Sequence, residues 1–222
     1  MLSIAAFAPT AFSAPLSAVR TTDVKMVAPK PLGSDDFCYG LPGAIAPLGA
    51  FDPLGFTKGA DVLEVNRLRE AELTHGRVGM LASAGFIVQE KFHPLFSADG
   101  GPAIEQVPQL PEGFLVALTM MIGAAEAKRI SLGWAAPTQE NLNAARAGGQ
   151  SQSFQRLKAD YTPGDLGFDP LGLAPKDAAG FRAMQEKELS NGRLGMLAAA
   201  GFLIQEAVTG QTWGAAWGDA SF

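Results

Sequence analysis

Across 222 residues there are one cysteine, two histidines and a charged fraction of only 18%. The lone cysteine, Cys38, excludes an internal disulfide framework and any cysteine-based metal cluster. Only His75 and His93 could supply imidazole, no Gly-rich phosphate loop is present, and no nucleophile-base-orienter set is visible. Hydrolysis, phosphoryl transfer and zinc chemistry therefore lack machinery, and the chain does not read as an enzyme. Basic residues are also scarce, 17 against 22 acidic, for a net charge of −5. Without a basic stripe to neutralise phosphates, nucleic acid is excluded as a partner. What the chain has in quantity is apolar surface: 47% of its residues are hydrophobic, a composition at the boundary between soluble and membrane proteins.

The dominant pattern is internal repetition. Glu70 to Glu90, EAELTHGRVGMLASAGFIVQE, recurs as Glu186 to Glu206, EKELSNGRLGMLAAAGFLIQE, at an offset of 116 with two-thirds of aligned positions identical. A period of this kind marks two copies of one structural unit. Within each copy, Leu73 to Gln89 and Leu189 to Val208 approach the roughly 20 residues that cross a bilayer. A Glu or Arg inside such a helix costs on the order of 2.5–3.5 kcal/mol, so it must be paired, ligated or near the interface. Glu72 and Arg77 lie about 140° apart around one helix and do not face each other. If the two copies pack as a parallel pair, Glu72 meets Arg193 and Glu188 meets Arg77, and the charges cancel across the seam. Gly76, Gly79, Ala82 and Gly85, with Gly192, Gly195, Ala199 and Gly201, would let the backbones approach closely.

Taken in order, residues 1–26 contain no Glu and one acidic residue, Asp23, among Ala, Ser, Thr and Pro. That composition predicts a targeting segment, removed from a single domain over residues 27–222. Ala6-Phe7-Ala8-Pro9 resembles the Phe-containing cleavage motif of plastid proteins in algae with secondary plastids. Phe51-Asp52-Pro53-Leu54-Gly55-Phe56 matches Phe168-Asp169-Pro170-Leu171-Gly172-Leu173, so the repeat carries a loop with a hydrophobic tip ahead of each span. Residues 61–69 are expected as an exposed extension of the first helix, and 91–108 as a loop. Residues 113–134 form a further apolar segment in which Glu126 and Arg129, at i and i+3, can pair within their own helix. Three spans, at about 70–90, 113–134 and 186–208, give the first and third the same direction. The linker 135–164 is expected to be exposed, and Trp213 and Trp217 read as interfacial aromatic anchors.

Glu72, His75, Gln89, Glu126, Glu188, Asn191 and Gln205 are single oxygen or nitrogen donors strung along the spans instead of clustered. Such positions suit a metal whose other ligands come from elsewhere, as in a magnesium already held by four ring nitrogens. His75 and Asn191 occupy equivalent repeat positions, an exchange that preserves a donor and would abolish a proton relay.

E-x-x-H-G-R-x-x-M in the first helix and E-x-x-N-G-R-x-x-M in the third, with the FDPLG loops and the middle E-x-x-R in order, resemble the light-harvesting chlorophyll-binding proteins of plastids. CYGLPGAIAPLG and THGRVGMLA are similar to the red-lineage antennae of fucoxanthin or chlorophyll a/c type, which often serve photosystem I. The resemblance implies an all-α membrane protein of three transmembrane helices whose first and third form a pseudo-symmetric crossed pair. It implies Glu72, His75, Glu126, Glu188, Asn191 and Gln205 as chlorophyll magnesium ligands, with Gln89 and His93 as weaker candidates. Arg77, Arg193 and Arg129 become the ion-pair partners. Chlorophyll a, a second chlorophyll (c rather than b) and xanthophylls such as the fucoxanthin type follow as cofactors. Thylakoid lipids, other antenna subunits and a photosystem core, I rather than II, follow as partners. Two departures stand out: Leu118 occupies a place where many members have Gln, and the C-terminus has no His. The implied role is light harvesting. A photoprotective member of the same family is the first alternative; its lumenal carboxylates would be Glu90, Asp99, Glu105 and Glu206. A small transporter built on a parallel repeat is the second.

Overall fold

The computed structural model of the chain describes residues 37–92, 101–136, 157–216 and 218. Within them every regular element is helical, with no strand. Asp61, in an extended conformation, accepts from the Val62 amide at 2.8 Å and starts α1, Val62–Gln89. Asp177 does the same for α4, Ala178–Thr209, accepting from Gly180 N at 2.6 Å. A side-chain oxygen at this position satisfies an amide that has no partner within the helix. α1 thus includes the extension expected over 61–69, and α4 begins eight residues before the repeat (186 − 178). At 1.5 Å per residue they are about 42 and 48 Å long. Gly210, at φ 62°, closes α4 in the left-handed conformation that glycine adopts without penalty.

Between these lie the one-turn helix α2, Ala103–Gln106, and α3, Glu112–Gly133; α5, Trp213–Ala216, follows α4. The two short helices fall in stretches expected as loop and anchor. The N-terminal part of α1 is not uniformly exposed as expected, since Val65 is only 3% exposed.

The core is the seam between α1 and α4. A Cβ on Gly76 would stand 3.0 Å from the Gly192 Cα, and one on Gly192 3.1 Å from the Gly76 Cα, so the backbones touch where they cross. Gly79 meets the Met196 backbone, Gly195 meets Met80, and the Phe86 and Phe202 rings sit 5.7 Å apart. Partners on α4 rise in number with those on α1, which makes the pair parallel, and each position meets the neighbourhood of its own repeat counterpart. α3 is not packed along either long helix.

Burial is inverted relative to a soluble core. Glu70, Gln106 and Glu206 are among the buried residues, while Leu81 at 77%, Met120 at 71% and Leu197 at 73% are exposed. Yet no single helix among the described residues is long and apolar enough to cross a membrane. Only Ala103–Gln109 with Glu112–Gly133, bent by 107°, passes as a pair. The expected span in each long helix is interrupted by its own Glu and Arg, and composition does not discount charges that are neutralised in the fold.

Candidate functional site

Each long helix supplies one Glu and one Arg to the seam. Arg77 Nε donates to Glu188 Oε1 at 2.8 Å, and Arg193 Nε donates to Glu72 Oε1 at 2.8 Å. Both pairs link α1 to α4. The guanidinium groups reach further. Arg77 Nη2 donates to the Gly164 carbonyl and Arg193 Nη1 to the Gly43 carbonyl, each at 2.8 Å. Each arginine thereby clamps the loop leading into the opposite long helix. Gly43 and Gly164 have φ of +123° and +82°, and a Cβ on either would press within 3 Å of Arg69 or Leu73. The signal for this clamp was in the sequence, as Pro42-Gly43 and Pro163-Gly164, but at an offset of 121 that breaks the 116-residue register.

The two copies differ in what surrounds these pairs. Glu188 keeps its second oxygen free of partners among the described residues, whereas Arg69 Nη1 takes Glu72 Oε2. Arg69, whose side chain is 10% exposed, was not singled out from the sequence, and its repeat counterpart is Gln185. In α3, Arg129 Nε and Nη2 both bind Glu126 Oε2, at 2.9 and 2.7 Å, leaving Oε1 unengaged among the described residues. Arg129 Nη1 goes on to Glu70 Oε1 at 3.0 Å and to Thr74 Oγ1 at 3.1 Å.

Glu70 is the functional-site residue that sequence reasoning missed. It is 2% exposed and accepts from Gly164 N at 2.7 Å and from the Tyr161 hydroxyl at 3.2 Å in addition to Arg129. Burial and the Glu70 carboxylate together push the Tyr161 phenol up to about 12. Its repeat counterpart, Glu186, lies on the surface and pairs within its own helix with Arg182, so the repeat gave no hint that Glu70 differs. Of the linker expected to be exposed, 137–156 lie outside the described residues, and the part that leads up to Gly164 departs from the expectation at Leu157. Leu157 is 3% exposed and pairs in a β-bridge with Trp134, and Lys158 caps α3 by donating from Nζ to the carbonyls of Ser131 and Leu132 at 2.7 and 3.0 Å.

Among the other expected donors, His75 and Asn191 are exposed at equivalent places on the two helices. His75 Nδ1 is bonded to the Ala71 carbonyl at 2.7 Å, which leaves Nε2 outward. Asn191 Nδ2 donates to the Lys187 carbonyl at 2.9 Å, which leaves its Oδ1 outward. Gln89 and Gln205 are half-buried, and the buried Nε2 of Gln205 has no partner among the described residues. His93, Asp99 and Trp217 lie outside the described residues. The set remains dispersed: among the described residues no three His, Cys, Asp or Glu side chains gather to hold a bare metal ion. At His75, Asn191, Glu126 and Glu188 one atom is bonded and one donor is left, which fits a magnesium that brings four ring nitrogens of its own.

At the far ends of the long helices the symmetry returns. Glu206 Oε2 accepts from Ile104 N in α2 at 3.0 Å, and Glu90 accepts from the Trp213 and Gly214 amides in α5. Each long helix thus holds the short helix that follows the other. Trp213 also stands edge-on to Phe202, their rings 5.9 Å apart.

Two grooves flank the seam. One, of about 490 Å³, is lined by Phe51, Asp52, Phe56, Arg69 and Glu72. The other, of about 330 Å³, is lined by Phe168, Asp169, Leu173, Arg77 and Glu188. Their rims are the FDPLG loops, folded around the aspartates. Asp52 accepts from Phe56 N at 3.0 Å and Thr57 N at 2.9 Å, and Asp169 from Leu173 N and Ala174 N at 3.0 Å. These bonds, led at Asp52 by the Thr57 hydroxyl and at Asp169 by the Ala174 amide, hold both carboxyls below the ordinary aspartate range. They also turn the loop apolar groups outward, with Leu54 77% and Leu171 78% exposed.

A family described as chlorophyll A-B binding protein matches residues 37–207, the stretch that holds the seam, both grooves and the middle helix. The chain belongs to the chlorophyll a/b-binding protein family. It is 57% identical over 222 residues, all of both chains, to a protein of Isochrysis galbana named fucoxanthin-chlorophyll a-c binding protein, chloroplastic. It is 46% identical over 203 residues, 87% of this chain and 74% of the relative, to light-harvesting complex stress-related protein 3.2 of Chlamydomonas reinhardtii. Photosystem I chlorophyll a/b-binding protein 5 of Arabidopsis thaliana is 30% identical over 176 residues, 76% of this chain and 66% of the relative.

Proposed function

We propose that this chain is a light-harvesting antenna protein of the plastid thylakoid membrane that binds chlorophylls and carotenoids and passes excitation energy to a photosystem, without chemical turnover. The observation that carries the reading is the spare donor left at four of the expected positions. Glu188 and Glu126 each give one oxygen to an arginine, and His75 and Asn191 each bond the backbone with one atom and expose the other. When bound there, chlorophyll and carotenoid supply light absorption and energy transfer. The protein's part is positional: it orients single donors on a rigid crossed pair and keeps them in apolar surroundings.

Glu72, His75, Glu126, Glu188, Asn191 and Gln205 are the magnesium donors in this reading, with Gln89 and His93 as further candidates. Glu72 is the weakest carboxylate donor of the set, because Arg69 draws on its second oxygen. The grooves beside Asp52 and Asp169 suit the long apolar chains of carotenoids with oxygenated ends. Chlorophyll a with chlorophyll c, and xanthophylls of fucoxanthin type, are supported by the name of the relative that is 57% identical. The photosystem I relative supports a photosystem I core as partner, alongside thylakoid lipids and other antenna subunits. We assign residues 1–26 as a plastid-targeting segment and the remainder as one three-span domain. The span assignment is supported by exposed apolar side chains on all three long helices and by the neutralisation of the charges in α1 and α4.

The test is extraction of the pigments from the native protein, with absorption and fluorescence-excitation spectra. Chlorophyll a and c with a xanthophyll, all sensitising chlorophyll a emission, are expected; a colourless protein would refute the reading and revive a transporter. A second reading, dissipation of excess excitation, is favoured by the stress-related relative at 46% identity. Fluorescence lifetimes decide between them: a long lifetime unchanged by acid marks an antenna, and a lifetime that shortens on acidification marks a quencher.

A further inference from the structure

α3 is not packed along either long helix, and its apolar side chains are open, with Val116 60%, Met120 71% and Ile122 55% exposed. Away from its C-terminal end, where Gly133 lies against the Tyr161 ring and Trp134 pairs with Leu157, direct packing does little to fix its rotation, and the rotation decides where Glu126 points. The link that does reach across is polar. Buried Glu70 on α1 binds Arg129 Nη1 at 3.0 Å, while Thr74, one turn along, accepts from the same nitrogen at 3.1 Å. With Nε and Nη2 on Glu126 Oε2, every nitrogen of the guanidinium is engaged.

An i, i+3 pair on an open helix face exchanges rotamers readily. Here the fork is held from outside its own helix by a carboxylate with almost no freedom. Glu70 is itself fixed from a third direction, by the Gly164 amide at 2.7 Å and the Tyr161 hydroxyl at 3.2 Å. The same Gly164 offers its carbonyl to Arg77, so a single residue joins this network to the Arg77–Glu188 pair.

We propose that Glu70 is a positioning residue for the pigment site at Glu126: it locks the Arg129 fork onto Glu126 Oε2 and so leaves Oε1 presented to a tetrapyrrole magnesium. This rests on the reading of Glu126 as a magnesium donor. The role belongs to one copy of the repeat only. Glu186, in the equivalent place, is taken up by Arg182 at the surface, and no third helix docks there among the described residues. Glu70 is thus the side chain at which the pseudo-symmetry breaks to receive the middle helix.

The experiment uses the full chain assembled with its pigments and reads chlorophylls per polypeptide together with absorption and circular-dichroism difference spectra. Glu126→Ala defines the signature of the site as the loss of one chlorophyll, and Glu188→Ala defines that of a seam site. Glu70→Ala is expected to reproduce the Glu126 signature, with occupancy there reduced at least threefold and the Glu188 signature absent. Glu70→Gln keeps the shape and an acceptor oxygen but not the charge; it is expected to show the same signature at partial depth, and it decides the matter if Glu70→Ala does not assemble. Full occupancy at the Glu126 site in Glu70→Gln and Glu70→Ala overturns the proposal. So does uniform loss of all pigments in Glu70→Gln, which would mark a general structural role. If Glu126→Ala removes no chlorophyll, the donor reading fails and this proposal falls with it. If Glu126→Ala removes one and the Glu70 variants none, only the positioning role fails.

Discussion

Alanine at Gly79 would bring a Cβ to 2.8 Å from the Met196 amide nitrogen and 2.9 Å from its Cα. Carbon atoms rest comfortably at roughly 3.5–4.0 Å, and a backbone cannot rotate aside as a side chain can. The helices must therefore part by roughly 0.7 Å at this point. Overpacking of this kind costs about 1–3 kcal/mol. Parting also strains the Arg77–Glu188 and Arg193–Glu72 bonds, both now 2.8 Å. Against this, Gly→Ala within a helix gains about 1 kcal/mol of intrinsic propensity. The difference is a destabilisation of roughly 0–2 kcal/mol, to which the strain on the two ion pairs adds. Gly85→Ala is the control, because nothing lies within 4 Å of the point its new methyl would occupy and only the propensity gain of up to about 1 kcal/mol remains. Thermal loss of visible circular dichroism, recorded on the pigment-loaded protein at one fixed scan rate, compares the two as operational stabilities. Gly79→Ala should melt below the parent and Gly85→Ala at or above it. If the two variants shift together in either direction, the seam does not depend on backbone contact and the packing argument is wrong.

Arg77→Leu removes the partner of both Glu188 and the Gly164 carbonyl; because the pair is about one-third exposed, with side-chain values of 38% and 32%, the expected loss is roughly 1–3 kcal/mol, and unchanged melting with full pigment content would refute the pairing. The loop carboxylates set an acid limit. Since hydrogen bonds lower the folded-state values of Asp52 and Asp169, their stabilisation is complete above the ordinary aspartate range and is lost as pH falls through the lowered values. Carboxyl carbon resonances should titrate below those of a free aspartate, and Thr57→Val should move Asp52 upward without moving Asp169. Finally, grooves of about 490 and 330 Å³ beside the seam forfeit dispersion contacts unless filled, and helices in lipid gain nothing from hydrophobic burial against each other. Refolding from detergent should give cooperative melting and protease resistance only when chlorophyll and carotenoid are supplied, and a pigment-free chain with both properties would contradict this.

What the sequence determined by itself was whatever the repeat could express twice. The pairing of Arg77 with Glu188 and of Arg193 with Glu72, the close approach at Gly76, Gly79, Gly192 and Gly195 (though not at Gly85 and Gly201, which meet nothing within 4 Å), the matched FDPLG loops and the equivalence of His75 and Asn191 all follow from one rule applied to two copies in parallel. Helix starts lay further out than the repeat because Asp61 and Asp177 cap outside it, although cap residues of this type are themselves visible in a sequence. What only the tertiary structure decided was how two near-identical copies come to differ. Glu70 and Glu186 stand in the same local sequence, E-x-E, yet one is buried beneath Arg129 and the other pairs with Arg182 at the surface. Arg69 takes an oxygen of Glu72, while Gln185 leaves Glu188 its own. A residue's local pattern sets its helix and its face, but its burial is set by what arrives from elsewhere in the chain. Here a single α3 and a single linker through Tyr161 and Gly164 have to dock on a two-fold object, and they can do so on one side only.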